Sequence, residues 1–275
     1  MEFQITTNNI KLNKDKSIGN VLFIVEGADT EFRVLKKIFN EIFGYCYKGI
    51  NRDGVKFSEY KNIKHKNSSI FVINTADSTI SSICNKKEYL DKMFELLIED
   101  YKFEIDNSFI YFIFDRDRDP KTETKKHREY IRSLIKSLTN SLDIDEDREK
   151  EFVFDRQGLL ILSYPCAEAF IAASFIDDTY KITHRIGKEL KRDLGDRKIQ
   201  HSKIDEESLK LATLEMLKYL KIIHNKDLDI DEFKYLNLEI FEKQDEFYEE
   251  NKSYRLLSLI PIILIDLGLI TIEEK

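Results

Sequence analysis

The sequence predicts an α/β fold in which a parallel sheet is flanked by helices and followed by a mainly α-helical C-terminal region. Four short, continuously apolar runs suit strands that are buried on both faces. These runs are Val21–Val25, Ser69–Asn74, Phe109–Phe114 and Gly158–Ser163. Segments with helical periodicity lie between them, and such alternation is typical of a parallel α/β sheet. Only 9 Gly and 3 Pro in 275 residues favour long regular elements over loops.

The helices follow the strands in chain order. After the first strand and Glu26-Gly27, Asp29 or Thr30 can cap a helix. Its apolar positions at helical spacing are Phe32, Leu35, Ile38, Phe39 and Ile42. Further helices are predicted over 86–101, over 121–142 and from Cys166, and only helical patterns follow residue 177. We therefore predict an α/β domain over 1–176, with an insertion at about 43–67, and an α-helical region over 177–275.

Composition and charge restrict the class of protein. With 44 Lys+Arg against 51 Asp+Glu, the net charge of −7 excludes nucleic-acid binding through overall charge alone. Three cysteines without CxxC spacing argue against disulfides or structural zinc and favour the reducing cytosol. The N-terminus lacks the apolar stretch of a signal peptide. The apolar segment Leu256–Ile270 is too short to span a bilayer, so we expect a buried helix in a cytoplasmic protein without membrane association.

Acidic residues follow two of the apolar strands. Glu26 comes after the first, and Asp115 and Asp117 come after the third. If these strands are neighbours, their carboxyl ends bring the three acids together, and carboxylate oxygens are the ligands that Mg²⁺ and Mn²⁺ prefer. Glu26 alone could instead be a helix cap or a loop acid, and residues 115–119 could form a self-neutralising charged turn. Taken together, the acids favour a metal site.

Val25-Glu26-Gly27 and Asp115-Arg116-Asp117 resemble, in this order, the two acidic motifs of the toprim domain. Toprim is the metal-binding catalytic module of topoisomerases, bacterial primases and several nucleases. The resemblance covers roughly residues 20 to 175. It implies a toprim-like sheet, with Glu26 as metal ligand or general base and with Asp115 and Asp117 as metal ligands.

Two longer segments resemble a narrower group within that family. They are Phe23–Phe39 and Ser163–Phe170, the second of which reads as strand, proline and helix with an internal glutamate. Both are similar to stand-alone toprim nucleases of bacterial anti-phage systems. These include the overcoming-lysogenization-defect type and small effectors paired with an ABC-type ATPase.

Three further acids are candidates near the motifs. Asp119 could share a metal with Asp117, which would shift the metal-binding pair by two residues. Glu168 could bind a second metal, or it could be an acid that the dipole at a helix N-terminus favours. Glu31 could hold a metal-bound water or be an ordinary acid of a first helical turn.

Basic residues after the second motif are candidates for nucleic-acid binding. They are Lys121, Lys125, Lys126 and Arg128. A second basic group over 184–201 is interleaved with acids, which favours a mixed solvated face. The insertion at 43–67 carries basic and aromatic residues that could contact nucleic acid or form a solvated loop.

The resemblance implies a Mg²⁺- or Mn²⁺-dependent endonuclease that hydrolyses phosphodiester bonds in RNA, tRNA included, or in DNA. It also implies a toxic effector of antiviral defence by abortive infection. No GxxxxGK motif occurs, so an ABC-type ATPase partner would supply any ATP hydrolysis. A homodimer through the 256–270 helix is a further option. The alternatives are an inactive toprim-like regulatory or scaffolding subunit of an ATPase complex, and a primase-like nucleotidyl transferase.

Overall fold

A computed structural model describes residues 5–27, 29–52, 55–75, 80, 94–95, 97–100, 103–105, 107–117, 124–143 and 157–273. The strands are β1 (Ile10–Leu12), β2 (Asn20–Val25), β3 (Cys46–Arg52), β4 (Val55–Lys61), β5 (Ser69–Asn74), β6 (Ser108–Asp115), β7 (Thr139–Asn140), β8 (Gly158–Tyr164), β9 (Thr183–His184), β10 (Tyr254–Arg255), β11 (Leu257–Ser258) and β12 (Ile270–Ile272). The helices are α1 (Thr30–Lys36), α2 (Lys125–Ser137), α3 (Glu168–Ala173), α4 (Gly187–Asp196), α5 (Glu206–His224), α6 (Phe233–Asn251) and α7 (Ile260–Asp266). A π-helical segment, Lys37–Ile42, continues α1, and 3₁₀ turns lie at Thr7–Asn9, Thr179–Lys181 and His201–Lys203.

The fold is α/β, with a mixed and mostly parallel central sheet flanked by helices. The sheet order is β11-β8-β6-β2-β5-β4-β3, and β7 pairs with β8 outside this path. Strands β8, β6, β2 and β5 run parallel to one another, whereas β3, β4, β7 and β11 are paired antiparallel. All four apolar runs of the sequence therefore form the parallel centre of the sheet, as predicted.

Burial explains why these runs are continuously apolar. Val21–Val25 is completely buried, and the strands on either side of it are almost as well covered. Helices α2, α3 and α7 contact β8, while α5 packs on α3 and α6 packs on α2. A strand covered on both faces has no solvent side for polar residues to occupy, so the alternating pattern of a half-buried strand is absent.

The predicted insertion at 43–67 is a β-hairpin. Strands β3 and β4 pair with each other, and β4 pairs antiparallel with β5, which extends the sheet by two strands. Tyr45 and Tyr60 are buried against Phe39, with ring centroids 6.1 and 6.2 Å from that of Phe39. The solvated-loop alternative is therefore wrong, because these aromatic side chains belong to the core.

Two helix predictions were wrong in extent. In the described part of 121–142, the helix is α2 (Lys125–Ser137), and the chain then forms β7 beside β8. The segment 256–270 is buried, as predicted, but only α7 is helical there, with β11 before it and β12 after it. Its apolar side chains lie in the protein's own core, so it does not offer the apolar surface of a dimer. The helix predicted over 86–101 falls mostly outside the described residues.

The C-terminal region is mainly helical, and its short strands connect it to the rest of the chain. β11 pairs with β8 at the edge of the central sheet, and β12 pairs with β1 near the N-terminus. The boundary at residue 176 stays a prediction. Among the described residues, no helix has both the length and the apolar character needed to cross a membrane.

Candidate functional site

The pairing of β2 with β6 places Glu26 beside Asp115. The two strands are parallel neighbours with Val25 opposite Ile113, so both end at the same edge of the sheet. The backbone N–H of Asp115 donates a hydrogen bond of 3.0 Å to Glu26 Oε2, and Glu26 N–H donates to the carbonyl of Ile113 at 3.1 Å. The expectation that these acidic strand ends are neighbours is therefore met.

The two aspartates of the Asp-x-Asp motif contact two different helix beginnings. Asp115 Oδ1 accepts a hydrogen bond of 2.8 Å from Ala167 N–H, immediately before α3. Asp117 Oδ2 accepts one of 3.1 Å from Gly187 N–H, the first residue of α4. Asp115 is half-buried whereas Asp117 is exposed. The motif thus runs from the interior of the site to a rim that solvent can reach.

Glu168 and Glu31 are buried acids of the same site. Glu168 is 7% exposed, and its Oε1 accepts a hydrogen bond of 2.6 Å from the Thr30 hydroxyl. Its other oxygen, Oε2, is buried without a hydrogen-bond partner. Glu31 is 5% exposed and accepts 2.9 Å from Gly27 N–H. Both acids lie in the first turn of a helix, as one alternative had it, but both are buried beside the acidic strand ends rather than exposed to solvent.

Gly27 and Gly187 have no side chain, so the side chains of neighbouring residues lie directly against their backbone. A Cβ atom on Gly27 would lie 2.7 Å from Glu31 Oε2, and one on Gly187 would lie 2.8 Å from the Cys166 sulfur and 3.1 Å from Asp117 Oδ2. A side chain at position 27 would therefore displace the Glu31 carboxylate from its place against the backbone.

The carboxylates raise one another's pKa. Burial raises the pKa of Glu26 from 4.5 to about 7, and the charges of Glu31 and Asp117 add to this, against the hydrogen bond from Asp115 N–H. Burial, followed by the charges of Glu26, Glu31 and Glu168, raises the pKa of Asp115 well above its ordinary value. The pKa of Glu31 is raised by burial and by Glu168. The cluster thus resists full ionisation unless a cation lies near it.

Lys191 provides a positive charge at this cluster. Its ammonium group lies 3.4 Å from Glu168 Oε1, and its side chain is 57% exposed. Partial burial acts to lower the pKa of Lys191, but the charges of Glu168 and Asp115 outweigh it and raise that pKa. The sequence interpretation assigned Lys191 to a mixed solvated face. The one hint in the sequence is that Lys191 stands four residues after Gly187 on the same helix, α4. That spacing places Lys191 at the site only because Gly187 contacts Asp117, a contact that the sequence does not show.

The residues of the site fit a hard divalent cation. Their oxygen donors are of the kind that Mg²⁺ and Mn²⁺ prefer, and Glu168 Oε2 is an unpartnered buried oxygen. Within the described ranges, no three His, Cys, Asp or Glu side chains are arranged as a ready coordination shell. One oxygen each of Glu26, Asp115 and Asp117 accepts a backbone N–H instead. Metal binding would need the second oxygens or a small rotation of the carboxylates.

The structure describes only part of the predicted nucleic-acid surface. Asp119 and Lys121 lie outside the described residues. Lys125 and Lys126 are exposed in the first turn of α2, and Lys126 lies over the ring of Tyr130. Arg128 differs from them, because its Nη1 donates 2.7 Å to Glu249 of α6. Lys125 and Lys126 therefore remain available to phosphate, whereas Arg128 is engaged within the protein.

No protein-family model matches the chain, and a search of curated proteins also finds no match. The function has to be inferred from the fold and from this group of carboxylates.

The raised pKa of Glu26 predicts a loss of stability with rising pH in metal-free protein. The folded state keeps the proton up to about pH 7, whereas the unfolded chain releases it near 4.5. The unfolded state therefore binds fewer protons between these values, and the free energy of unfolding falls as pH rises through this window, by about 3 kcal/mol from Glu26. Urea denaturation of wild type and Glu26→Gln in chelator, at pH 5 and pH 8, measures this contribution.

The Glu26→Gln variant is expected to gain stability over wild type mainly at pH 8. Asp115 and Glu31 retain a slope of the same sign, so the variant flattens the pH dependence without removing it. Glu232→Gln, which changes an exposed acid, is the control and should leave the slope unchanged. An identical pH dependence in wild type and Glu26→Gln would contradict the assignment.

Proposed function

We propose that the protein is a Mg²⁺- or Mn²⁺-dependent endonuclease of the toprim type that hydrolyses phosphodiester bonds in RNA, possible targets including tRNA, or in DNA. The observation that carries this proposal is the convergence of Glu26, Asp115 and Glu168 at the carboxyl ends of parallel strands, with Glu31 beside them. Their mutual repulsion favours a divalent cation at this edge. Open α/β sheets bind their ligands at the same edge.

Glu26, Asp115 and Asp117 are the residues proposed to hold the metal, and Glu168 offers oxygens for a second one. A bound divalent cation supplies Lewis-acid chemistry, which polarises a phosphate and makes water more acidic. Glu26, with a pKa of about 7 before metal binds, is suited to accept a proton from water at neutral pH. This assigns it a role as general base in addition to, or in place of, metal binding.

The surroundings of the cluster suit an extended polyanion. Asp117 is exposed at the rim, and the exposed Lys125 and Lys126 begin the helix that follows the motif. Lys191 adds a positive charge next to Glu168. Cations at these positions would hold phosphates on either side of the bond that is cut, which offsets the net negative charge of the whole chain.

The biological role is proposed from the toprim resemblance. The Val-Glu-Gly and Asp-x-Asp motifs stand on neighbouring parallel strands, an arrangement consistent with a toprim-like fold. We propose a toxic effector of anti-phage defence that an ABC-type ATPase partner releases or activates. Co-purification with such an ATPase would support the partner.

The second candidate is a catalytically inactive toprim-like subunit that regulates or scaffolds an ATPase complex. It is favoured by the hydrogen bonds that Glu26, Asp115 and Asp117 accept from backbone N–H groups, and by the ammonium group of Lys191. These contacts stabilise the negative charges of the cluster without a metal.

Cleavage of supercoiled plasmid and of total tRNA tests the enzymatic proposal. We expect wild type to cut at least one of them with Mg²⁺ or Mn²⁺ and neither with chelator. Glu26→Gln and Asp115→Asn should lower the rate about 100-fold or more, because each removes a charge at the reacting centre with little change of shape. Glu232→Gln is the control with wild-type activity. Equal cleavage by wild type and Glu26→Gln would refute the assignment.

Thermal denaturation separates the enzyme from the inactive subunit. A ligand that binds only the folded state raises its melting temperature, so Mn²⁺ should raise that of wild type but not that of Asp115→Asn. No rise in wild type at millimolar Mn²⁺ would favour the inactive subunit.

Lys191→Met tests whether the ammonium group balances the carboxylates. In chelator we expect the variant to melt about 2 °C below wild type, because an attraction of about 1 kcal/mol at a half-exposed site is lost. The difference should shrink with saturating Mn²⁺, since the metal then neutralises the cluster. Lys188→Met, on the same helix and exposed, is the control. A difference that is the same in both conditions would mean that Lys191 acts only on the helix.

A further inference from the structure

Arg116 stands between the two aspartates of the motif in sequence, and its charged side chain is buried in the core. Its side chain is 1% exposed, and Nη2 donates a hydrogen bond of 2.8 Å to Asp245 Oδ1 on α6. The guanidinium carbon lies 5.4 Å from the ring centroid of Phe241 and 5.7 Å from that of Tyr254. The motif is therefore tied to the C-terminal helical region through its central residue.

Side chains alternate between the two faces of an extended chain, which relates the contact of Arg116 with Asp245 to the directions of the neighbouring aspartates. Successive side chains point to opposite faces, so Asp115 and Asp117 face one way while Arg116 faces the other. β6 ends at Asp115, and Arg116 N–H donates a hydrogen bond of 2.9 Å to the carbonyl of Ser163 on β8. Asp117 thus lies beyond the end of β6, directly after Arg116 in the chain.

A contribution to stability does not by itself explain why Arg116 and Asp245 form a buried ion pair. A buried ion pair loses hydration on both partners, and well-packed apolar residues of similar size often replace it without loss of stability. A role in orientation accounts for a charged side chain here, because the hydrogen bond to Asp245 and the flanking rings of Phe241 and Tyr254 hold the planar guanidinium group against α6.

We propose that Arg116 and Asp245 are positioning residues, which hold Asp115 and Asp117 toward the N–H groups of Ala167 and Gly187 and toward the metal. The metal-related part rests on the proposed function. The orientation of the two aspartates does not, since it is defined by their hydrogen bonds to the N–H groups of Ala167 and Gly187.

Two other ion pairs on the same helix provide matched comparisons. Arg132 Nε lies 3.3 Å from Glu242 Oε1, and Arg128 pairs with Glu249. Glu242 and Glu249 stand three residues before and four residues after Asp245, so all three acids share one face of α6. The pair of Arg132 with Glu242 is partly exposed and includes no residue of the motif, which makes Glu242→Gln a suitable control.

The double variant Arg116→Met/Asp245→Leu removes both charges of this pair at once, so neither is left buried without the other. Its Mn²⁺ affinity, measured by calorimetry, is expected to be about 10- to 100-fold weaker than wild type, the usual cost of losing groups that orient metal ligands. Glu242→Gln should bind Mn²⁺ as wild type does. Wild-type Mn²⁺ affinity in a folded double variant would overturn the metal-related part of the proposal.

Amide hydrogen exchange in metal-free protein tests the orientation separately. In the double variant the amides of Ala167 and Gly187 should exchange about tenfold faster or more, because their acceptors are no longer held, while amides within β2 keep their rates. Unchanged protection at both amides, or a uniform loss over the whole chain, would overturn the proposal. If wild type binds no Mn²⁺, the endonuclease proposal fails and the exchange result still decides the positioning role.

A milder variant covers the case in which the double variant does not fold. Asp245→Asn keeps an acceptor oxygen but loses the charge, and it should show the same two changes to a smaller degree. Exchange at Ala167 and Gly187 that matches that of Glu242→Gln would then overturn the proposal.

Discussion

The in-register pairing of β2 with β6 is the constraint on which the site depends. Because Val25 lies opposite Ile113, β6 extends two residues beyond the end of β2, and the Glu26 side chain meets the backbone of Asp115 there. β8 pairs with β6 on the side opposite β2 and is followed by α3, whose first residue is Glu168. A shift of one residue in the β2–β6 pairing would separate the acids and turn the apolar residues of these strands away from their partners. Core packing thus holds the acidic strand ends together.

Charge in this protein has to be considered locally. The net charge of −7 is a property of the whole chain, but many of its acids have specific cationic partners. On α6, Glu242, Asp245 and Glu249 pair with arginines of α2 and of the Asp-x-Asp motif. These acids fasten the C-terminal helices to the part of the chain that carries the site. The carboxylates at the strand ends are different, because burial raises the pKa of Glu26 and Asp115, and Lys191 balances only part of their charge.

Much of the fold and the core of the site could be predicted because the signals are local. Continuous apolar runs identify buried parallel strands, and an acid directly after such a run must lie at the sheet edge. Glu26 and Asp115 are brought together as these patterns indicate. The hairpin of β3 and β4 was missed because its polar and aromatic mixture resembles a loop until Tyr45 and Tyr60 are seen to pack on Phe39. The 256–270 segment is apolar throughout, and such a pattern does not distinguish a helix from short buried strands.

The sequence by itself determined the central strands of the sheet and the acidic residues at their ends. Only the tertiary structure decided which distant residues complete the site. Lys191 reaches Glu168, Gly187 N–H reaches Asp117, and Arg116 reaches Asp245 across 129 residues of chain. No periodicity encodes such contacts, because they depend on how α4 and α6 pack against the sheet rather than on the residues beside them in sequence. The physical reason is that hydrogen bonds and ion pairs act over a few ångströms of space, whereas sequence patterns report only the neighbours along the chain.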